Sequence, residues 1–160
     1  MTREISRWGV GPSIMLSAGA YAAVAGFATR LWPDVCLVMA VPRIVFIVGG
    51  IVLLTVGIPM LVAAARAATV AYNSDKLATT GIFGFVRNPI YSAWIILIIP
   101  GLVLLSRSWP MFFTPLIAYS VFKARIGREN EYLEKRFGDA YCTYKTQVNE
   151  LFPFPWNKRT

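Results

Sequence analysis

The feature that most constrains the fold of this chain is a pair of long segments without a single charged residue. Residues 10–29 and residues 44–65 are uncharged over 20 and 22 consecutive positions. A helix that crosses the hydrocarbon core of a bilayer needs about 20 mostly apolar residues, and its backbone groups must bond within the helix. Only 15% of the residues are charged, whereas soluble domains carry roughly 25%. We therefore predict two transmembrane helices.

The first of these segments also shares a feature with secretory signal peptides, because Arg3 and Arg7 precede it. It is longer than the apolar part of an ordinary signal peptide, and a second spanning segment follows almost at once. We therefore interpret it as a retained helix, with a cleaved signal as the alternative.

Two shorter uncharged segments, residues 90–106 and 108–122, are separated only by Arg107. This spacing predicts a tight helical hairpin. Trp109 and Pro110 suit the start of its second arm, since proline is tolerated in the first turn of a helix. Two further prolines are expected to kink the arms from inside, Pro100 and Pro115. The alternative is a hairpin that only dips into the membrane.

The remaining segments are polar. Residues 66–89 predict a structured loop with at most a short helix. Residues 123–148 carry apolar side chains at near-helical spacing, which predicts two short amphipathic helices with a joint at Gly138. The glycines of the second apolar segment, Gly49, Gly50 and Gly57, are of the type that lets membrane helices approach closely. The aromatic residues near the C-terminus predict anchors at a membrane interface: Phe152, Phe154 and Trp156.

The distribution of positive charge predicts the orientation. With four spans and a cytoplasmic N-terminus, every lysine and arginine lies on the inner side except Arg30, Arg43 and Arg107. This agrees with the excess of positive charge in cytoplasmic segments of membrane proteins, and it predicts that both termini are cytoplasmic. The C-terminal segment mixes both signs and has no nucleic-acid-binding motif, so membrane lipids are expected partners and nucleic acid is not.

Metal chemistry has little support in this sequence. The chain has no histidine and only two cysteines, Cys36 and Cys142, which the predicted topology places on opposite sides of the membrane. Neither a zinc site nor a haem site is expected. The absence of histidine also removes the side chain that most often acts as a general base near neutral pH.

Two polar motifs flank the predicted hairpin. "GFVRNPIYSAW" begins at residue 84 and places Asn88, Pro89 and Tyr91 at the start of the first arm. Taken alone, it fits an ordinary helix start, with Arg87 contacting lipid headgroups. "RIGREN" places Arg125 and Glu129 four residues apart on one helix face, directly after the second arm. A charged pair so close to the membrane is a candidate functional site, and an exposed ion pair is the alternative.

In combination, the two motifs are more specific. "GIFGFVRNPIY", an apolar hairpin and then "RIGRENEYLEKRFGDAYCTYKTQV" resemble the isoprenylcysteine carboxyl methyltransferase family. The related phospholipid N-methyltransferases are also similar. The resemblance covers roughly residues 74–155. It implies an integral-membrane enzyme that transfers a methyl group from S-adenosylmethionine to a lipophilic small molecule or lipid.

The apolar segments predict an all-α, multi-pass membrane protein with about four transmembrane helices. The resemblance implies that short C-terminal amphipathic helices cover a cofactor pocket at the cytoplasmic face. We expect a single membrane domain, residues 1–160. Residues 1–65 would form an N-terminal helical pair that acts as scaffold, since neither span contains a catalytic residue type, and residues 66–160 would form a methyltransferase-like core.

The resemblance also implies roles for individual residues. Arg125 matches the arginine beside the acceptor group of the substrate and is the candidate catalytic residue. The positions that match cofactor contacts in the family are Leu77, Phe83, Asn88, Tyr91 and Glu129.

Two positions depart from the family pattern. Asn88 replaces the usual histidine, and Asn130 replaces the second of two adjacent glutamates. Asparagine can form hydrogen bonds but cannot titrate. A carboxylate acceptor needs no general base, whereas an amine must lose a proton, so the chain favours an acid, a thiol or another easily ionised acceptor.

Two other functions remain as alternatives. An NADPH-binding enzyme similar to sterol reductases would share the C-terminal pattern. A membrane scaffold or lipid-binding protein without catalytic activity would bind neither nucleotide.

Overall fold

The computed structural model describes residues 9–153, and this part of the chain is all-helical, as predicted. Five helices make up the fold: α1 (Gly11–Leu31), α2 (Arg43–Asn73), α3 (Pro89–Ser106), α4 (Thr114–Phe137) and α5 (Asp139–Gln147). Single helical turns occupy Pro33–Cys36, Ile82–Phe85 and Pro110–Phe113. Within the described residues, the sole β-type pairing is an isolated bridge between Leu37 and Ser108.

Three of these helices are long and apolar enough to cross a membrane, namely α1, α2 and α3. They confirm the two long spans and the first arm of the hairpin. The second arm, α4, is uncharged only until Phe122, and it falls outside the helices that qualify. A fourth crossing therefore stays a prediction.

Hydrogen bonds between connecting segments show which of these segments lie at the same end of the helical bundle. At one end, Trp109 N–H donates to the carbonyl of Cys36 at 3.0 Å, which joins the α1–α2 connection to the tip of the hairpin. At the other end, Asn88 N–H donates to the carbonyl of Glu150 at 3.1 Å, which joins the start of α3 to the C-terminal segment. Successive helices therefore run in opposite directions, as a hairpin requires.

The two inner prolines of the hairpin behave differently. Pro100 follows a π-helical segment, Ala93–Ile98, inside α3. Proline lacks an N–H and its ring crowds the carbonyl four residues earlier, so a wider turn before it relieves the crowding. Pro115 lies in the first turn of α4, where proline is tolerated, and the prediction that it kinks the arm from inside is wrong. Arg107 ends α3 in the left-handed conformation, with φ of 54°.

Two element boundaries also differ from the sequence prediction. Residues 66–73 continue α2 as helix, because this alanine-rich segment has no proline or glycine to stop it. Residues 123–137 continue the second hairpin arm and do not form a separate amphipathic helix. The predicted joint at Gly138 is confirmed, with φ of 53°. Arg3, Arg7, Phe154 and Trp156 lie outside the described residues, whereas Phe152 is exposed.

The helices pack as two pairs, α1 against α4 and α2 against α3. A Cβ atom built on Gly50 would lie 2.8 Å from the carbonyl oxygen of Gly101, and one built on Gly57 would lie 2.8 Å from Cβ of Leu97. These contacts confirm that the glycines of α2 allow close approach. The buried core joins α1, α3 and α4 through Val10, Ile14, Ala18, Tyr91, Ile95, Ala118, Phe122, Ile126 and Leu151.

We predict that Gly50→Ala separates α2 from α3. The added methyl group meets a backbone oxygen that cannot rotate away, so the substitution should cost about 1–3 kcal/mol of stability. Gly19→Ala in α1 is the matched control, because a Cβ there has no atom within 4 Å. Thermal unfolding in detergent should show a lower melting temperature for Gly50→Ala alone. Equal melting temperatures for the two variants would contradict the close packing.

Candidate cofactor and acceptor site

A cavity of about 1480 Å³ lies between α1, the end of α2, the start of α3 and the polar half of α4. The five predicted cofactor contacts all line this cavity, although they come from separate parts of the sequence: Leu77, Phe83, Asn88, Tyr91 and Glu129. Arg125 is exposed and is absent from the lining. The structure therefore brings five of the six candidate residues together and leaves the catalytic candidate outside.

Tyr91 and Glu129 form the polar centre of the cavity wall. The Tyr91 hydroxyl donates to Glu129 Oε2 at 3.0 Å and accepts from the backbone N–H of Val10 at 2.9 Å. The Tyr91 ring packs against Phe122, with 5.3 Å between the ring centroids. Both aromatic side chains belong to the buried core, so the hydrogen-bonded pair rests on a packed support.

The Glu129 carboxyl group has a raised pKa in this position. Burial raises its pKa, while hydrogen bonds from Tyr91 and from the Val10 backbone act in the opposite direction. In the described part of the chain, no ion pair includes Glu129. Because Glu129 has no cationic partner among the described residues, its carboxylate could pair with a ligand that carries a positive charge or hydroxyl donors.

Asn88 stands at the N-cap position of α3, but its side chain makes no capping bond. Its Nδ2 instead donates to the carbonyl of Glu150 at 3.2 Å, next to the backbone bond from Asn88 N–H to the same oxygen. Ser92 Oγ donates to the carbonyl of Leu151 at 2.6 Å. Asn88 thus holds the C-terminal segment against the start of α3 while it lines the cavity.

The side chain of Arg87 is turned into the protein, and this corrects the interpretation of Arg87 as a headgroup contact. Its side chain is 8% exposed and pairs with Glu150 at 3.4 Å. It also donates to the carbonyl of Lys145 at 3.1 Å, and Lys123 pairs with the other oxygen of Glu150. Sequence analysis missed Glu150 and Ser92, because no spacing relates residue 150 to residues 87–92 before the chain folds.

Two tyrosines of α5 form the roof of the cavity. The Tyr141 hydroxyl donates to Asn130 Oδ1 at 2.7 Å, and the Tyr144 hydroxyl donates to the carbonyl of Phe83 at 2.6 Å. Burial raises the pKa of each phenol to about 12, so both are neutral donors near pH 7. Asn130, which departs from the family pattern, therefore connects α4 to the roof helix.

Charged side chains link the elements that surround the cavity. Arg136 near the end of α4 pairs with Asp75 in the loop after α2, and it also donates to the Tyr132 hydroxyl at 2.9 Å. Lys145 of α5 pairs with Glu134 of α4. These contacts join the loop and the roof to α4.

The opposite part of the cavity is apolar and extends between α1 and α2. Its walls there consist of small residues, Gly11, Ala18, Gly19 and Ala22 from α1 and Ala65, Ala68 and Ala71 from α2. Larger apolar side chains line the deeper part, including Met15, Leu102, Val103 and Met111. The cavity therefore combines a polar end with an apolar channel between membrane helices.

Metal ligands are scarce across residues 9–153, where no group of three or more histidine, cysteine, aspartate or glutamate side chains could hold an ion. Cys36 and Cys142 are free thiols. The side chains at the polar end of the cavity include carboxylates, phenols, amides and guanidinium groups.

A family model described as the isoprenylcysteine carboxyl methyltransferase (ICMT) family matches residues 43–135, more than half of the chain. The match begins at α2, so the resemblance extends further towards the N-terminus than the motifs after residue 74 indicate. No solved structure matches the chain.

Curated relatives carry a consistent name. Protein-S-isoprenylcysteine O-methyltransferase of Schizosaccharomyces pombe is 33% identical over 82 residues, which are 51% of this chain and 35% of that protein. Protein-S-isoprenylcysteine O-methyltransferase B of Arabidopsis thaliana is 30% identical over 79 residues, 49% of this chain and 40% of that protein. The Dictyostelium discoideum protein of the same name is 32% identical over 72 residues, 45% and 30%. The matches span well under half of each relative.

We predict that the ligand-free protein loses stability as the pH rises above the ordinary carboxyl pKa of 4.5. A carboxyl group with a raised pKa in the folded state binds its proton more tightly there than in the unfolded chain. The contribution of this carboxyl group to stability is therefore complete below its pKa in the unfolded chain, and it is lost as the pH rises through its pKa in the folded protein. Across this pH range, the melting temperature of the wild-type protein should fall as the pH rises, and it should fall less steeply in Glu129→Gln.

Glu131→Gln is the matched control for this measurement, because it removes one charge from an exposed position two residues away. It should leave the slope of the wild-type protein in place. An identical pH dependence in wild type and Glu129→Gln would contradict the effect of burial on this carboxyl group.

Proposed function

The chain belongs to the isoprenylcysteine carboxyl methyltransferase family, and on this basis we propose that it is an integral-membrane methyltransferase that uses S-adenosylmethionine. Its acceptor would be a lipophilic molecule with a carboxylate, a thiol or another ionisable group. The relatives are named for O-methylation of an isoprenylcysteine, which makes a prenylated carboxylate the first acceptor to test.

The observation that carries this proposal is the convergence of residues 77, 83, 88, 91 and 129 on one cavity. These positions come from a loop, a single helical turn and two helices. A scaffold protein would not require them to share a cavity. Their convergence supports a site for one ligand.

The chemistry of these residues fits S-adenosylmethionine. The half-buried Glu129 carboxylate can accept hydrogen bonds from ribose hydroxyls or from an ammonium group, and burial raises its pKa. Leu77 and Phe83 offer apolar surface for a planar base. Asn88 lines the same wall, and its amide is oriented by the bond to Glu150.

When bound, S-adenosylmethionine would supply a methyl group on a positively charged sulfur, which an ionised oxygen can accept without a general base. The chain then has to align the acceptor with the cofactor and to exclude water, which are the main contributions of a protein to such a reaction. The absence of histidine from the sequence is compatible with this assignment.

The apolar channel between α1 and α2 suits the tail of the acceptor. Small side chains leave room there for a hydrocarbon chain that enters from the bilayer. The polar end would then face the cytoplasm, with both termini on the same side. This orientation follows the distribution of positive charge.

Arg125 keeps its proposed role beside the acceptor on the basis of its motif position alone. It lies one turn closer to the membrane than Glu129, at the level where α4 leaves its apolar half. A guanidinium group binds a carboxylate with two parallel hydrogen bonds. Arg128 is a competing candidate, because it lines the cavity.

We predict that S-adenosylhomocysteine raises the melting temperature of the purified protein in detergent and that NADPH does not. A ligand at 100 times its dissociation constant adds about 2.7 kcal/mol of stability. Stabilisation by NADPH alone would favour the reductase-like alternative. If neither nucleotide stabilises the protein, the scaffold interpretation gains support.

We also predict that Arg125→Ala lowers the turnover of a prenylated carboxylate acceptor without weakening the binding of S-adenosylhomocysteine. Labelled S-adenosylmethionine with wild type, Arg125→Ala and Arg128→Ala measures turnover, and calorimetry measures binding. Loss of a charged hydrogen-bond partner should reduce kcat/KM by roughly tenfold or more. Full turnover by Arg125→Ala, together with a loss in Arg128→Ala, would move the role to Arg128.

A further inference from the structure

We propose that the segment that begins α1, residues 9–11, is a positioning element of the cofactor site and holds Tyr91 and Glu129 in the arrangement that binds the cofactor. This inference rests on the proposed function of the same site. It gives a role to the N-terminal helix, which the sequence motifs assign only to scaffolding and which lies outside the residues matched by the family model.

The contact that carries the proposal is a chain of two hydrogen bonds. The backbone N–H of Val10 donates to the Tyr91 hydroxyl at 2.9 Å, and this hydroxyl donates to Glu129 Oε2 at 3.0 Å. A hydroxyl group has one proton. Because an N–H approaches the oxygen from α1, the proton points towards Glu129. The start of α1 therefore sets the direction in which Tyr91 donates.

Gly9 shows how closely the backbone of this segment approaches the pair. A Cβ atom built on Gly9 would lie 2.6 Å from the Tyr91 hydroxyl oxygen and 2.8 Å from Glu129 Oε2. Gly9 also has φ of 51°, a conformation that residues with a side chain rarely adopt. Both the contact and the backbone conformation therefore require glycine at this position.

The start of α1 cannot easily leave the site to make room for a ligand. Val10, Ile14 and Ala18 are each at most 6% exposed and pack in the same core as Tyr91 and Leu151. Removing residues 9–11 from Glu129 would expose this core. A segment that is anchored in this way is suited to hold Tyr91 and Glu129 in place. A segment that competed with the ligand for Glu129 would instead have to leave the site when the ligand binds.

The experiment compares Gly9→Ala with Gly127→Ala in the whole chain. Gly127 lies in α4 outside the cavity lining, and a Cβ there has no atom within 4 Å, so this variant controls for an added methyl group near Glu129. We expect calorimetry to show S-adenosylhomocysteine binding to Gly9→Ala at least about tenfold more weakly, the effect of about one hydrogen bond to a charged group. Gly127→Ala should bind like wild type. Equal or tighter binding to Gly9→Ala would overturn the proposal.

A second variant tests the hydrogen bond without adding an atom at residue 9. Val10→Pro removes the N–H donor at a position whose φ of −79° is compatible with proline. It should weaken binding in the wild-type background but have little further effect in Tyr91→Phe, where the hydroxyl is absent. Additive effects in the double variant would overturn the proposal, because a general loss of stability is not expected to depend on Tyr91. Failure of the wild-type protein to bind S-adenosylhomocysteine would reject the proposed function itself.

Discussion

The hydrogen bond between Tyr91 and Glu129 is the contact on which the arrangement of the cavity depends. It joins α3 to α4 at the level where the apolar core ends, and Val10 adds α1 through its backbone N–H. A carboxylate that is half-buried, as Glu129 is, loses part of its hydration, which is costly unless its oxygens have partners. The pair therefore has to be satisfied by protein or ligand, and this requirement keeps three helices in register at the polar end of the bundle.

A second network supports this pair from the C-terminal side. Arg87, Asn88 and Ser92 bind residues 149–151 through carbonyl oxygens and the Glu150 carboxylate. The segment passes across the start of α3 and ends in the same core through Leu151. The cavity wall and the contacts that hold the C-terminal segment thus share one short stretch, residues 87–92, which explains why polar residues stand at the beginning of an apolar helix.

Sequence patterns predicted the helices of this protein well where one physical constraint dominated. The uncharged lengths before Arg30 and Arg66 indicated spanning helices, and Arg107 and Gly138 marked turns, since left-handed backbone ends a helix there. The patterns were weaker at boundaries, because an alanine-rich segment after Arg66 continues a helix once it has begun. The proposed cofactor residues came from a motif resemblance, and Glu150 could not be anticipated, because its partners Arg87 and Asn88 are about sixty residues away in the chain.

The sequence by itself determined that the chain forms apolar helices, where those helices turn and which residues stand at their polar ends, because helix length and charge act locally. Only the tertiary structure decided which of these polar residues share a cavity. Packing of α1 on α4 and of α2 on α3 brings Leu77, Phe83, Asn88, Tyr91 and Glu129 together and leaves Arg125 outside. It also places the backbone of Gly9 against the central pair. Such distances depend on how helices approach one another, which no local pattern specifies.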